Sequence, residues 1–341
     1  MDAVSDIDTD LDALGVDPSS DSRRSASTST PSSASSTSAP SSSPSDTAAT
    51  SAPPTVKIGR DMSPDMVADI EKQLRDLGVV VTTEDRPSEK PSARIIVVVS
   101  PKGGSGKTAV SSNLAVTLAE RHPGRVVAVD LDVQFGDLGL AMSLTPEHTF
   151  AQLARSNRID ATTVKLHLTP GPNDLFVLAG ASDPVDADSV DHTHVSAVIP
   201  ILAENFDFVV VDTSAGLDER TLAALDEATD VLLVSSLDVT SIRSLRTARD
   251  TFEQLDIGAR QRLVLNRSDS KVGLDPSDAE DVMGMEIACS VPSSRDIPLS
   301  LNLGTPVVIR EPKSSAAKAL VGLADIFSTA PAETGRKGWF R

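Results

Sequence analysis

The sequence predicts an α/β fold: a mostly parallel sheet with helices on both faces, preceded by a disordered N-terminal tail. Three observations predict it. From Arg94 onward short β-branched runs alternate with helical patterns, the mark of successive βαβ units. The chain has eight Phe, one Trp and no Tyr, so its core must come mainly from Val, Ile, Leu and Ala, which suit strands covered on both faces. A glycine-rich run, Ser100-Pro-Lys-Gly-Gly-Ser-Gly-Lys-Thr108, lies between an apolar strand and a helix start, where open parallel sheets hold their ligands.

Taken in order, residues 1–54 form the tail. Residues 19–53 contain 16 serines in 35 positions, too little apolar surface to offset the entropy of ordering. Ahead of them, Asp2 to Leu14 alternates acids with Val4, Ile7, Leu11 and Leu14, the pattern of a short docking peptide or of a solvated acidic tail. Residues 55–91 read as a small, partly ordered segment or linker. A strand is expected at 55–58. Ser63 and Pro64 supply an N-cap and first position for a helix to about Leu77. Gly78 ends it before a second strand at 79–82. Such a unit is too small to be a domain; it packs on the main domain or mediates self-association.

The main domain spans 92–328. Strands are expected at 94–100, 125–130, 174–178, 207–213, 230–236, 261–266 and 285–289, and helices at 107–121, 193–204, 218–226, 240–255, 296–302 and 314–327. Right-handed crossovers bring the C-terminal ends of the strands to one edge. The last segment, 329–341, is a short basic-aromatic tail ending Gly335-Arg-Lys-Gly-Trp-Phe-Arg341. Its rings and cations suit an anionic membrane interface; a frayed polar terminus is the plainer reading.

The formal net charge is −18. Residues 1–91 hold 16 acidic and 8 basic residues, and residues 92–341 hold 33 and 23. Both parts are acidic, which disfavours tight nucleic-acid binding. Cys289 is the single cysteine, so an intrachain disulfide framework is excluded. No apolar run reaches the ~18 residues of a membrane-spanning helix, and the acidic N-terminus is unlike a signal peptide. The expected location is cytoplasmic, with peripheral contact on the cytoplasmic face of the inner membrane as an extension.

The glycine-rich run is a phosphate cradle, a P-loop. Gly103, Gly104, Ser105, Gly106 and Ala109 let backbone N–H groups converge on an anion, and the helix start adds its dipole. Lys107 is placed to reach the β- and γ-phosphates, and the Thr108 hydroxyl to ligate Mg²⁺. Four features follow in order. Val126-Val-Ala-Val-Asp130-Leu-Asp132 is an apolar strand ending in two carboxylates, which alternation aims the same way if the strand persists. Phe206 to Asp212 is another, with a carboxylate that can hold Mg²⁺ through water, and Gly216 follows it to sense the γ-phosphate. Arg262-Leu-Val-Leu-Asn266-Arg267 ends in an amide suited to reading adenine. Val291 and Pro292 open a loop placed to cover the base.

Lys-Gly-Gly-x-Gly-Lys-Thr, with a second lysine at Lys102, resembles the MinD/ParA family of deviant Walker ATPases over about residues 92–328. Gln134-Phe-Gly-Asp-Leu138 and Leu237-Asp-Val-Thr-Ser-Ile-Arg243-Ser-Leu-Arg246 look most like the CpaE/TadZ-type Flp-pilus assembly ATPases. The resemblance implies a P-loop NTPase sheet, ATP with Mg²⁺, and an ATP-dependent homodimer in which Lys102 of one subunit reaches the phosphates of the other. It implies that Asp132 positions the attacking water and that Asp130 and Asp212 serve the metal shell. The implied activity is slow, partner-stimulated ATP hydrolysis that positions a cell-envelope or pilus assembly machine.

Departures and alternatives remain. Ala109 stands where many members carry Thr or Ser, and Ser105 where Val is commoner. There is no room for the receiver-like N-terminal domain of many pilus-type members. Ala109 motivates a nucleotide-binding scaffold without turnover. The cluster Arg243, Arg246, Arg249, Arg260 and Arg262 motivates ParA-like DNA partitioning, although a helix face paired with Asp250 and Glu253 is the plainer reading. A ligase-type metabolic enzyme would need a phosphorylated small-molecule product. One cysteine is too few for a bridging iron–sulfur cluster, and the absence of tyrosine excludes a tyrosine autokinase tail.

Overall fold

A computed structural model describes residues 55–57, 80–82, 93–270 and 274–328. The chain divides into two units, 1–84 and 85–341. In the first, β1 (Thr55–Lys57) pairs in parallel with β2 (Val80–Thr82), the two strands expected there. The acidic stretch 2–14, the serine-rich tail, the helix expected at 63–77 and the C-terminal tail lie outside the described residues.

The second unit is built on eight strands: β3 (Arg94–Val99), β4 (Val126–Asp130), β5 (Thr169–Pro170), β6 (Phe176–Leu178), β7 (Phe208–Asp212), β8 (Asp230–Ser236), β9 (Arg260–Asn266) and β10 (Ile287–Val291). Their order across the sheet is β10-β9-β8-β3-β7-β4-β6-β5. Every pairing is parallel except β5 with β6. The long helices are α1 (Lys107–Arg121), α4 (His192–Asn205), α6 (Val239–Gln254) and α10 (Ser315–Ser328). Shorter ones are α2 (Phe150–Ala154), α3 (Ala161–Leu166), α5 (Glu219–Asp226), α7 (Pro276–Met283), α8 (Asp296–Asn302) and α9 (Val307–Arg310).

The alternation along β3 divides the core into two layers. Ile95, Val97 and Val99 share one cluster with Val195 and Leu202 of α4 and Leu245 and Phe252 of α6. Ile96 and Val98 share the other with Val110, Leu114 and Leu118 of α1 and Leu320, Leu323 and Phe327 of α10. The sheet is therefore covered on both faces, as expected. From β3 the chain crosses β7 to reach β4, and later returns over β3 from β7 to β8. This reversal makes the C-terminal end of β3 a switch point, where a crevice opens.

All seven strands and six helices expected in the main domain form, most with ends shifted by a few residues. The strand expected at 174–178 begins only at Phe176, because Pro172–Asp174 make a 3₁₀ turn with Asn173 and Asp174 at positive φ. The strand expected at 285–289 lies at Ile287–Val291, because Gly284 ends α7 in the left-handed conformation at φ 62°. Four short helices and β5 were not expected. Helices α2 and α3 are too short for a full apolar stripe, yet both are capped: Thr149 with Gln152 forms a capping box, and Asp160 accepts from the Thr163 N–H.

Candidate nucleotide-binding site

The loop 100–106 joins the buried end of β3 to the start of α1. Gly104 and Gly106 have φ of +73° and +100°, so the tight turn needs them. Gly106 is the N-cap of α1 and offers no side-chain cap, which leaves the helix N–H groups for an anion. Beside them opens a cavity of about 870 Å³. Gly103, Gly104, Gly106, Lys107, Thr108, Ala109, Asp132, Asn266, Arg267 and Pro292, each expected at the site, line it.

Asn266, expected to read adenine, also has partners within the protein. Its Nδ2 donates to the Ser105 carbonyl at 2.8 Å, and its Oδ1 accepts from the Arg267 N–H at 3.0 Å. The amide braces the phosphate loop, and a Cβ on Gly106 would sit 2.2 Å from Nδ2. Ser105 is itself buried, and its Oγ has no hydrogen-bond partner.

Asp212 is wholly buried at the end of β7. Its Oδ1 accepts from Ser111 Oγ at 2.8 Å, while Oδ2 is buried with no partner. Burial pushes this carboxyl up to about 6, with the hydroxyls of Thr108 and Ser111 and the Lys107 ammonium pulling it back. Burial lowers Lys107, and Asp212 and then Asp132 oppose that shift. An orphaned carboxylate oxygen beside a P-loop threonine fits a divalent cation. Ser111 was missed in the sequence. It lies one turn beyond Lys107, and that i, i+4 spacing was its only signal.

The Asp212 shift predicts a pH dependence for the nucleotide-free, metal-free protein. Its folded value, about 6, lies above the ordinary 3.8, so the folded state binds the extra proton between them. Stability from this group therefore falls as pH rises through that window, by on the order of 3 kcal/mol if it acts alone. Denaturant titrations from pH 4 to 7 should show Asp212→Asn gaining on the native chain across this window. A constant difference would refute it.

Asp130 is held by its own loop. It is buried, its Oδ1 accepts from the Asp132 N–H at 3.2 Å, and its Oδ2 accepts from the Leu138 N–H at 3.1 Å. Both oxygens are engaged by the following loop. Burial, then the neighbouring Asp212, push this carboxyl well up, against the Leu138 N–H bond. Because β4 ends at Asp130, strand alternation does not carry to Asp132.

Gly216, at φ +95°, donates its N–H to the Ser100 carbonyl at 3.3 Å. In this structure the group expected to sense a γ-phosphate is thus held against the start of the loop. Lys102 does not line the cavity. Its Nζ lies 3.3 Å from Asp238 Oδ1 and 3.0 Å from both Thr240 Oγ1 and Ser241 Oγ, at the N-terminus of α6. Burial raises the Asp238 carboxyl, but bonds from Ser241 and Thr240 outweigh it and hold the group well below the usual range.

The family model for an AAA domain matches residues 93–264. The septum site-determining protein MinD of Synechocystis is 27% identical over 238 residues, covering 68% of this chain and 88% of that protein. The cell division ATPase MinD of Pyrococcus furiosus superimposes with a TM-score of 0.63 at 31% identity, covering 70% of this chain and all of that one. The MinD of Pyrococcus horikoshii, solved with Mg-ADP, gives a TM-score of 0.62 at 27% identity over 70% of this chain and 96% of its own.

Proposed function

The chain belongs to the MinD/ParA family of AAA-domain P-loop ATPases, and from that premise we propose that it is an ATP-hydrolysing, ATP-dimerised switch with Mg²⁺ as cofactor. It positions a cell-envelope or pilus assembly machine. The observation that carries this reading is Lys102, a second lysine ahead of a complete phosphate loop and held outside the cavity on Asp238. A lysine with no place in its own site is free to serve a facing one.

Phosphoryl transfer asks for positioning and charge neutralisation more than for a strong base. Lys107 would neutralise the phosphates from the cavity lining. Asp132 orients the attacking water from the cavity wall. Thr108 and Asp212 would hold Mg²⁺, which supplies charge neutralisation at the phosphate oxygens. Lys102 of one subunit, released from Asp238, closes on the phosphates of its partner.

The envelope direction draws on the septum-determining relatives, and the pilus direction on the segments 134–138 and 237–246. No helix among the described residues is long and apolar enough to cross a membrane. The DNA alternative loses support because most of its arginines are engaged. Arg246 bonds Asp250 and the Val282 carbonyl, Arg249 pairs with Glu253 and bonds the Met283 carbonyl, and Arg262 bonds Asp230 and stacks on Phe327.

Live-cell imaging of a fluorescent fusion tests the reading, with Lys107→Ala beside it. An envelope focus that vanishes in the variant is expected. A nucleoid-wide signal would favour DNA partitioning, and absence of multiple-turnover phosphate release from the purified chain would favour the scaffold.

A further inference from the structure

We infer that Asp130 is a positioning residue, whose buried carboxylate fastens the loop 131–138 and so fixes Asp132 at the cavity wall. The inference rests on the ATPase reading above. The two N–H groups bound by Asp130 lie two and eight residues further along the chain, so one side chain closes the loop on itself. A buried carboxyl oxygen left without such a bond would be costly, so both bonds hold. The ends of the loop are also tied: the Leu131 N–H donates to the Asp212 carbonyl at 2.8 Å, and Leu138 is fully buried. Between them the tip is open, with Phe135 70% exposed. The Asp132 N–H is itself one of the anchors.

Gly136 supplies the independent observation. Its φ lies outside the left-handed region, so conformational freedom is not what requires a glycine there. A Cβ at this position would lie 2.3 Å from both carboxylate oxygens of Asp130. The glycine therefore exists to let the loop backbone close over the carboxylate. Both oxygens are used in this way, whereas Asp212 keeps an unpartnered oxygen. The two strand-end aspartates, opposite each other in register, thus divide their work: Asp212 would hold a cation, and Asp130 holds the loop.

The experiment uses the full chain with Asp130→Ala, Asp130→Asn, Gly136→Ala and the double variant Asp130→Ala/Gly136→Ala. For Asp130→Ala, ATP-analogue affinity and Mg²⁺ half-saturation should stay within ~3-fold of the native chain while kcat falls ~10-fold or more, the mark of lost positioning. Asp130→Asn, which keeps one acceptor oxygen, should retain intermediate turnover. Gly136→Ala alone should lower kcat, yet in the Asp130→Ala background it should change kcat less than ~2-fold, because the clash is gone. A Mg²⁺ half-saturation raised ~10-fold by Asp130→Ala would make it a cation ligand and overturn the inference. Multiplicative effects of the two substitutions would overturn it as well. Hydrogen exchange at the Asp132 and Leu138 amides reads the clasp without ATP. Faster exchange in Asp130→Ala supports the clasp even if the native chain shows no turnover, a result that would sink the ATPase reading alone. Unchanged exchange in a folded Asp130→Ala would refute the clasp. Should Asp130→Ala not fold, Gly136→Ala decides by the same exchange readout.

Discussion

Lys107→Ala is expected to abolish measurable hydrolysis and to weaken ATP binding by ~100-fold or more, the effect of leaving charged groups unpaired at a buried site. The size follows from the surroundings. Lys107 is buried at the start of α1, and its ammonium answers both Asp212 and Asp132. Removing it takes away the ammonium that stands beside both acids at the phosphate loop. Mg²⁺ could not fully substitute, since the helix N-terminus and Thr108 already share its work. The nucleotide-free protein should respond differently. Loss of the ammonium removes one of the influences that pull the Asp212 carboxyl down, so that carboxyl should stay protonated to higher pH. Titration calorimetry with an ATP analogue, together with a phosphate-release assay, checks the expectation. Binding within ~3-fold of the native chain would mean that the backbone cradle carries the affinity without the lysine.

The site was legible where chemistry sits at strand ends and illegible where packing decides direction. Asp212 ends a β-branched run, Asp132 lies just past one, and Lys107 and Thr108 open the helix that follows another, places that a parallel sheet gathers at one edge. Asp130 and Asp132 share a direction only if the strand runs through both, and β4 stops at Asp130. Asn266 was read as a base contact because an amide at a strand end offers both a donor and an acceptor. Its distance from the Ser105 carbonyl is a tertiary fact with no local signal. Ser111 was invisible for a similar reason. A serine within a helix is close to neutral in propensity, and only the register of β7 against β3 brings Asp212 to it. In the fold, the long helices announced themselves through apolar periodicity, whereas α2, α3 and α9 depend on caps and neighbours.

Lys102→Ala should leave nucleotide binding to the monomer within ~3-fold of the native chain and eliminate ATP-dependent dimerisation, because a lysine outside its own cavity contributes affinity only across an interface. The resting contact of Lys102 is weak enough to be given up. Its side chain is 47% exposed and that of Asp238 36%, and exposed ion pairs are worth roughly 0–1 kcal/mol. The hydroxyls of Thr240 and Ser241 add bonds that water replaces readily. A triphosphate presented by a second subunit carries several negative charges in a site from which water is being excluded, so it outcompetes a single half-exposed carboxylate. The same reasoning sets the sign of the converse change. Asp238→Ala removes the resting partner, so dimers should form at lower ATP concentration. The shift should be only a few-fold, matching the ~1 kcal/mol of the pair, since the helix α6 also loses its N-cap and some stability with it. Sedimentation velocity with a non-hydrolysable ATP analogue separates these cases. A Lys102→Ala chain that dimerised and hydrolysed normally would end the two-subunit account of the site, whereas loss of dimer with intact monomer binding would assign the second lysine to the partner's phosphates.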